Sequence, residues 1–195
     1  MALITGNSRS PLKDRRDDLY ETPPEATRAL LSVENFTDAI WEPACGPGAI
    51  VDVLRAAGHR VHATDLVDYG LKDSESGVDF LMERQSPGFY IGSIITNPPY
   101  KLANEFVAHA LMLGIPKVAM LLRLAFMESD RRTAILDGGT LARVYVFRKR
   151  LPMMHRHGWE GNRVNSGMAF AWFVWDLQHK GPIEIRRISW SAKHG

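Results

Sequence analysis

Ile40-Trp41-Glu42-Pro43-Ala44-Cys45-Gly46-Pro47-Gly48 carries a short apolar run into a G-x-G turn, and the turn opens a helical pattern running from Ala49 to Ala57. Glycine lets the backbone come close to a nucleotide, as it does in a dinucleotide site. The third glycine of G-x-G-x-x-G is replaced by Val51, which leaves a poorer cradle for a pyrophosphate. Asp65 ends the next strand-like run, nineteen positions after Gly46. An acidic side chain there can accept both ribose hydroxyls of an adenosine cofactor. The pairing favours a nucleoside ligand. A tight turn without a ligand is as common among isolated G-x-G matches, so the surrounding sequence has to decide.

Working outward, seven short apolar or β-branched runs alternate with helical patterns: Ala39–Trp41, Arg60–Asp65, Val78–Leu81, Ile91–Thr96, Lys117–Leu122, Arg143–Phe147 and Met168–Trp175. That alternation predicts an open α/β sheet of seven mostly parallel strands with helices on both faces. Ala26, Ala29, Leu30 and Val33 recur at helical spacing, and Thr22-Pro23-Pro24-Glu25 before them reads as a capping box with prolines in the first turn. Leu102, Phe106, Ala110 and Leu113 mark a further helix, ended by Gly114 and Pro116. The last two runs are expected to pair antiparallel. Residues 152–167 between them read as a loop at the edge of the sheet, and long loops in compact domains are often functional. The expected organisation is an arm at 1–18, one domain at 19–180 and a tail at 181–195.

The chain has 195 residues, 45% of them hydrophobic, enough for one core. No stretch approaches the roughly 20 apolar residues of a membrane span, and the first residues lack the apolar centre of a secretory signal. A single cysteine, Cys45, excludes an internal disulfide framework and a multi-cysteine zinc site. These features fit a cytoplasmic protein with no metal and no membrane partner. Net charge is only +2, yet Leu141–Asn165 holds six cations (Arg143, Arg148, Lys149, Arg150, Arg156, Arg163) against Glu160 alone, with His155 and His157 in addition. That segment is either a phosphate-binding patch or an ordinary solvated loop.

Chemistry enters with Ile94-Ile95-Thr96-Asn97-Pro98-Pro99-Tyr100, a strand running straight into Asn-Pro-Pro-Tyr. Two prolines stiffen the backbone just past the strand end, where ligands bind in open α/β sheets. The Asn97 side-chain oxygen and the Pro98 carbonyl can both accept from one NH2 group. An aryl amine or amide nitrogen is a poor nucleophile because its lone pair is delocalised. Two fixed acceptors favour the pyramidal nitrogen that attacks a sulfonium methyl. Tyr100 offers a ring on which a planar target can stack. The tetrapeptide alone would more often be a plain turn; its position after the glycine loop and Asp65 argues otherwise.

Residues 19–100 resemble the class I S-adenosylmethionine-dependent amino-methyltransferases that include DNA adenine-N6 enzymes, with the cofactor motif ahead of the catalytic one. The segment Tyr20–Leu31, YETPPEATRALL, is similar to the start of small phage-like adenine methyltransferases. The resemblance implies a Rossmann-like methyltransferase fold of strand order 3-2-1-4-5-7-6 with strand 7 antiparallel, and S-adenosyl-L-methionine as cofactor. It places Tyr20, Thr22, Glu42, Ala44, Cys45, Gly46, Gly48, Asp65, Asp79 and Phe80 around that cofactor. It gives Asn97, Pro98, Pro99 and Tyr100 the catalytic role. Thr22 reads equally as a helix cap, and Phe80 nearly equally as a core aromatic. Cys45 is a loop residue of the motif rather than a nucleophile.

The implied substrate is nucleic acid, DNA first. Arg148, Lys149, Arg150, Arg156 and Arg163 would hold phosphates, and Trp159 would fill or replace a stacked base. No segment is large enough for a separate target-recognition domain, so a partner subunit is one way to supply specificity. Asn-Pro-Pro-Tyr also occurs in methyltransferases of protein glutamine and of guanine N2 in RNA, which present similar planar NH2 groups. A non-catalytic nucleic-acid-binding homologue and a nicotinamide oxidoreductase remain alternatives. Intact Asn97 and Tyr100 speak against the first, and the missing third glycine against the second.

Overall fold

The computed structural model describes residues 20–37, 39–87, 90–152 and 167–191. Strands β1 (Ala39–Glu42), β2 (Arg60–Asp65), β3 (Glu75–Ser76), β4 (Ser93–Thr96), β5 (Lys117–Arg123), β6 (Leu141–Phe147), β7 (Phe170–Asp176) and β8 (Glu184–Ile188) form one sheet in the order β3-β2-β1-β4-β5-β7-β6-β8. β7 runs antiparallel to both β5 and β6, and every other pairing is parallel. The carboxyl ends of β1, β2, β4, β5, β6 and β8 therefore reach the same end of the sheet.

Side chains of a strand alternate between faces, and here both faces are buried. Trp41, Ile94, Val118, Met120, Phe173 and Trp175 pack on one face under α3 (Ala103–Met112) and α4 (Thr133–Leu136). Ile40, Ile95, Ala119, Leu121, Trp172 and Val174 pack on the other under α1 (Pro24–Leu31) and α2 (Ala49–Ala56). Each buried indole finds an acceptor, as buried polar groups must. Trp41 donates to the Thr64 hydroxyl at 3.0 Å, Trp172 to the Ala26 carbonyl at 2.9 Å and Trp175 to the Ile135 carbonyl at 2.7 Å. Leu30 of α1 is fully buried, and truncating such a side chain to alanine costs about 2–5 kcal/mol. No helix among the described residues is long and apolar enough to cross a membrane.

Four expectations change. The sheet has eight strands rather than seven, because β8 adds beside β6, beyond residue 180 where the domain was expected to end. The third strand is Glu75–Ser76, not Val78–Leu81. Asp79 turns the chain there, its side chain accepting from the Leu81 N–H at 3.0 Å and starting a 3-10 turn at Phe80–Met82. The capping box at Thr22 does not form: Pro23 is the N-cap of α1 and no side chain caps it. Pro24 at the first helical position has no N–H to satisfy, and the Ala26 N–H, which a cap could hold, donates to the Pro23 carbonyl at 2.8 Å.

Candidate active site

Glu42 closes β1 and is fully buried. Its Oε1 accepts from the Ala44 N–H at 3.3 Å, while Oε2 has no hydrogen-bond partner. Burial pushes the carboxyl up to about 8, and the negative Asp65 adds to the rise. The Thr96 hydroxyl and the Ala44 N–H, which favour the ionised form, do not offset it. After Glu42 the chain turns through Gly46 at φ 51° and Gly48 at φ 105°, values that L side chains rarely adopt, and enters α2. Asp65, at the end of β2, braces this turn. Its Oδ2 accepts from the Gly46 N–H at 2.8 Å and its Oδ1 from the Val67 N–H at 2.9 Å. An ionised carboxylate offers about four acceptor positions, so two remain for a ligand.

Cys45 points its thiol at the Gly46 carbonyl, 3.6 Å away. Burial first, and then the negative Glu42 and Asp65, push it up to about 12. A thiol so protected does not supply a thiolate nucleophile.

Asn97 follows β4 directly. Its Nδ2 donates to the Tyr20 carbonyl at 2.9 Å, and its Oδ1 is buried without a hydrogen-bond partner. The Tyr20 ring stacks on Tyr100 with centroids 5.1 Å apart at 27°. Phe170 flanks Tyr100 at 5.7 Å, and the Arg123 guanidinium lies 4.7 Å from the centre of its ring. Between the glycine turn and Asn97 opens a cavity of about 460 Å³, bordered by Tyr20, Thr22, Glu42, Asp65, Phe80 and Asn97 among others. That size suits a small ligand or cofactor.

No family model matches the sequence, and no curated protein does. Solved structures do. A TehB-like SAM-dependent methyltransferase from Corynebacterium glutamicum superposes with a TM-score of 0.51 at 15% identity, over 84% of this chain and 92% of that one. A dimethyladenosine transferase from Plasmodium falciparum gives a TM-score of 0.55 at 10% identity, over 81% and 62%. A modification subunit assigned to a type I restriction enzyme from Vibrio vulnificus gives 0.55 at 14% identity, over 94% of this chain, which spans about half of that longer one, 50%. This is the Rossmann-like methyltransferase fold.

Within the methyltransferase fold, the cavity brings together most of the residues singled out from sequence. Tyr20, Thr22, Glu42, Ala44, Cys45 and Gly46 border it from one side, and Asp65, Asp79, Phe80, Asn97 and Pro99 complete it. Phe80 serves the core as well, 5.1 Å from Trp41 and 4.9 Å from Phe106. Gly48 does not border the cavity; it shapes the turn, and a Cβ added there would meet Leu71 at 2.6 Å. Pro98 and Tyr100 also lie outside the lining. Arg148, Lys149 and Arg150 are exposed just past β6, whereas Arg156, Trp159 and Arg163, like His155 and His157, fall outside the described residues. Sequence reading missed Leu66 and Val67, which border the cavity directly after Asp65. The sequence signal is an apolar pair directly after the acidic strand end at Asp65, and the structure leaves it 62% and 39% exposed.

Proposed function

We propose that this chain is an S-adenosylmethionine-dependent amino-methyltransferase acting on adenine N6 in nucleic acid, with DNA as the first candidate. The observation that carries the reading is the Asn97 amide. Its nitrogen is committed to the Tyr20 carbonyl, so its oxygen is held as an acceptor, buried and without a partner, at the border of the cavity. A buried acceptor left unsatisfied costs about 1–3 kcal/mol, and a ligand NH2 would recover that.

The residues present fit the cofactor. The buried, unpartnered Glu42 carboxyl would lose its proton to become a counter-charge for a cationic ligand, the Asp65 carboxylate keeps acceptor capacity for ribose hydroxyls, and Leu66 and Val67 supply an apolar face for a base. The cofactor supplies an electrophilic methyl group on a sulfonium. Asn97, with the Pro98 carbonyl just beyond the lining, would orient the target amine for direct in-line displacement without a covalent enzyme intermediate: the N–C bond would form as the S–C bond breaks, the thioether would leave, and the nitrogen would lose its proton to solvent. Each acceptor draws on an N–H of the nitrogen as it becomes positive. A duplex substrate must present its adenine flipped out, because N6 is otherwise paired inside the stack. Tyr100 lies outside the lining with Tyr20 stacked on its ring and Arg123 over it, so a flipped base would stack there only by displacing one of those contacts.

The solved structures of this fold include a dimethyladenosine transferase and a restriction-system modification subunit, which supports a nucleic-acid substrate and a partner subunit for target recognition. The test is transfer of labelled methyl to DNA, RNA and glutamine-bearing protein in parallel, followed by identification of the product. Label in N6-methyladenine is expected. Label only in glutamine or guanine would overturn the adenine assignment, and no cofactor binding at all would overturn the activity.

A further inference from the structure

The eighth strand brings a second basic segment to the carboxyl end of the sheet. β8 runs parallel to β6, with Arg187 beside Val146 and Ile188 beside Phe147. The contact continues past the strand: the Arg148 N–H donates to the Ile188 carbonyl at 2.9 Å. Trp190 then donates from its indole nitrogen to the Lys149 carbonyl at 3.0 Å, while its ring packs on the α1 side of the core. The Arg148-Lys149-Arg150 segment is thus stitched to the end of β8 by one backbone hydrogen bond and one from the Trp190 side chain.

Arg148, Lys149, Arg150, Arg186 and Arg187 are all exposed. Glu184 pairs with Arg186, and the other four cations have no ion pair among the described residues. Exposed Ile185 and half-buried Trp190 adjoin these cations, but Trp190 is committed to the Lys149 carbonyl and the core, and one isoleucine does not make the aromatic or aliphatic cluster that centres a protein interface. A run of fixed cations suits a repeating phosphate backbone instead.

Its position relative to the cavity follows from the topology. From β4, which delivers Asn97, the order passes through β5, β7 and β6 to β8. Neighbouring strands lie about 4.8 Å apart, so β6 and β8 stand roughly 14 and 19 Å from β4. At about 3.4 Å of duplex axis per nucleotide, that span is roughly four to six nucleotides. Arg123, at the end of β5, lies on the way.

We infer that the Arg148–Arg150 segment and the carboxyl end of β8 form one phosphate-binding ledge, which holds a polynucleotide roughly four to six nucleotides from the target amine. The inference rests on reading the cavity as the amino-methyl transfer site. Arg187 supplies a phosphate contact, and Trp190 positions the ledge by pinning Lys149. The partner is a polymer, because a free nucleotide in the cavity would not reach these cations.

The test compares wild type with Lys149→Gln/Arg187→Gln, using a 24-mer DNA duplex and an RNA hairpin of similar length as probes. Kd is measured across a salt series. For the bound polymer, the variant's affinity should fall about tenfold or more at low salt. The log Kd against log salt slope should flatten by roughly 2, the value for two lost phosphate contacts. Affinity for S-adenosylmethionine, measured by calorimetry, should be unchanged and serves as the check on folding. A charge-keeping Lys149→Arg/Arg187→Lys variant should restore the slope. A variant that binds both polymers with wild-type affinity and slope would overturn the ledge, as would a wild-type protein that binds neither. The titration needs no methyl transfer. Failure of the transferase reading would therefore appear separately, as wild-type protein that binds polymer but transfers no label.

Discussion

The Asn97 side chain donates to the Tyr20 backbone carbonyl at 2.9 Å, joining the residue after β4 to a segment 77 positions earlier in the chain. The Tyr20 ring meanwhile stacks on Tyr100. The segment entering α1 and the Asn-Pro-Pro-Tyr turn therefore form one unit. Asn97→Ala should keep cofactor affinity and lower kcat by about 10²-fold, since the acceptor matters most as charge develops on the nitrogen. Asn97→Asp sets a carboxylate oxygen against the Tyr20 carbonyl and should cost about 1–3 kcal/mol of stability. Single-turnover kinetics and thermal melting read the two effects, and equal kcat in Asn97→Ala would remove Asn97 from the mechanism.

With Glu42 beside the cofactor, as proposed, binding becomes a proton-linked event. Burial raises its carboxyl to about 8 in the free protein, so it is mostly protonated at pH 7. A cationic ligand beside it favours the carboxylate, and binding should release a proton. Calorimetry at pH 7 in buffers of different ionisation enthalpy should give observed enthalpies that differ in proportion; identical values would show no release. The stability consequence has a definite sign. A folded-state value raised from 4.5 to about 8 gives a contribution fully present below 4.5 and lost as pH rises towards 8. Glu42→Gln, which imitates the protonated form, should flatten that loss between pH 5 and 8 in melting experiments and weaken cofactor binding.

Beside the proposed ribose contact, Asp65 has a task in the free protein. Because it holds the Gly46 and Val67 N–H groups at 2.8 and 2.9 Å, Asp65→Ala should lower stability as well as cofactor affinity. Two N–H groups losing a charged acceptor cost about 1–3 kcal/mol each, less where water replaces it. Calorimetry and denaturant titration measure the two losses. Unchanged cofactor affinity would place the ribose site elsewhere.

Far from the cavity, Glu34 anchors the loop after α1 to the sheet. Arg143 Nε approaches it at 2.6 Å, Lys117 Nζ at 2.9 Å and the Tyr145 hydroxyl at 2.8 Å. Burial opposes its ionisation, but hydrogen bonds from Arg143, Lys117 and Tyr145 outweigh it and hold the carboxyl below its usual value of 4.5. A depressed value gives stability that is present above 4.5 and lost as pH falls through the folded value. Glu34→Gln should be less stable than wild type by about 2 kcal/mol at pH 7, and the gap should narrow below pH 4. A pH-independent gap in melting temperature would assign the loss to packing instead.

How far these elements were legible depended on whether one residue's pattern agreed with its neighbours'. β2 was read with its observed bounds, Arg60–Asp65, although only Ala63 and Thr64 in it are buried, and β1, β5 and β7 to within two residues at each end, because those three are buried apolar or β-branched runs. β8 was missed because Glu184, Arg186 and Arg187 interrupt its two isoleucines, and only Ile188 is buried. Val78–Leu81 looked like a strand by composition, yet the local hydrogen bond made by Asp79 bends it. At the candidate site, the glycine turn and Asn97 were visible because their chemistry is written in adjacent residues. The Tyr20–Asn97 bond was not, since only the folded topology brings those two together.

Among the described residues β8 is one edge of the sheet, and β3, two residues long, is the other. An edge strand exposes unpaired N–H and C=O groups that can recruit a strand from another molecule. Glu184, Arg186 and Arg187 place charge along one edge, and brevity blunts the other. Apolar substitutions in β8 would therefore be read first as self-association rather than as unfolding. Replacing those three charges should lower the concentration at which the protein self-associates.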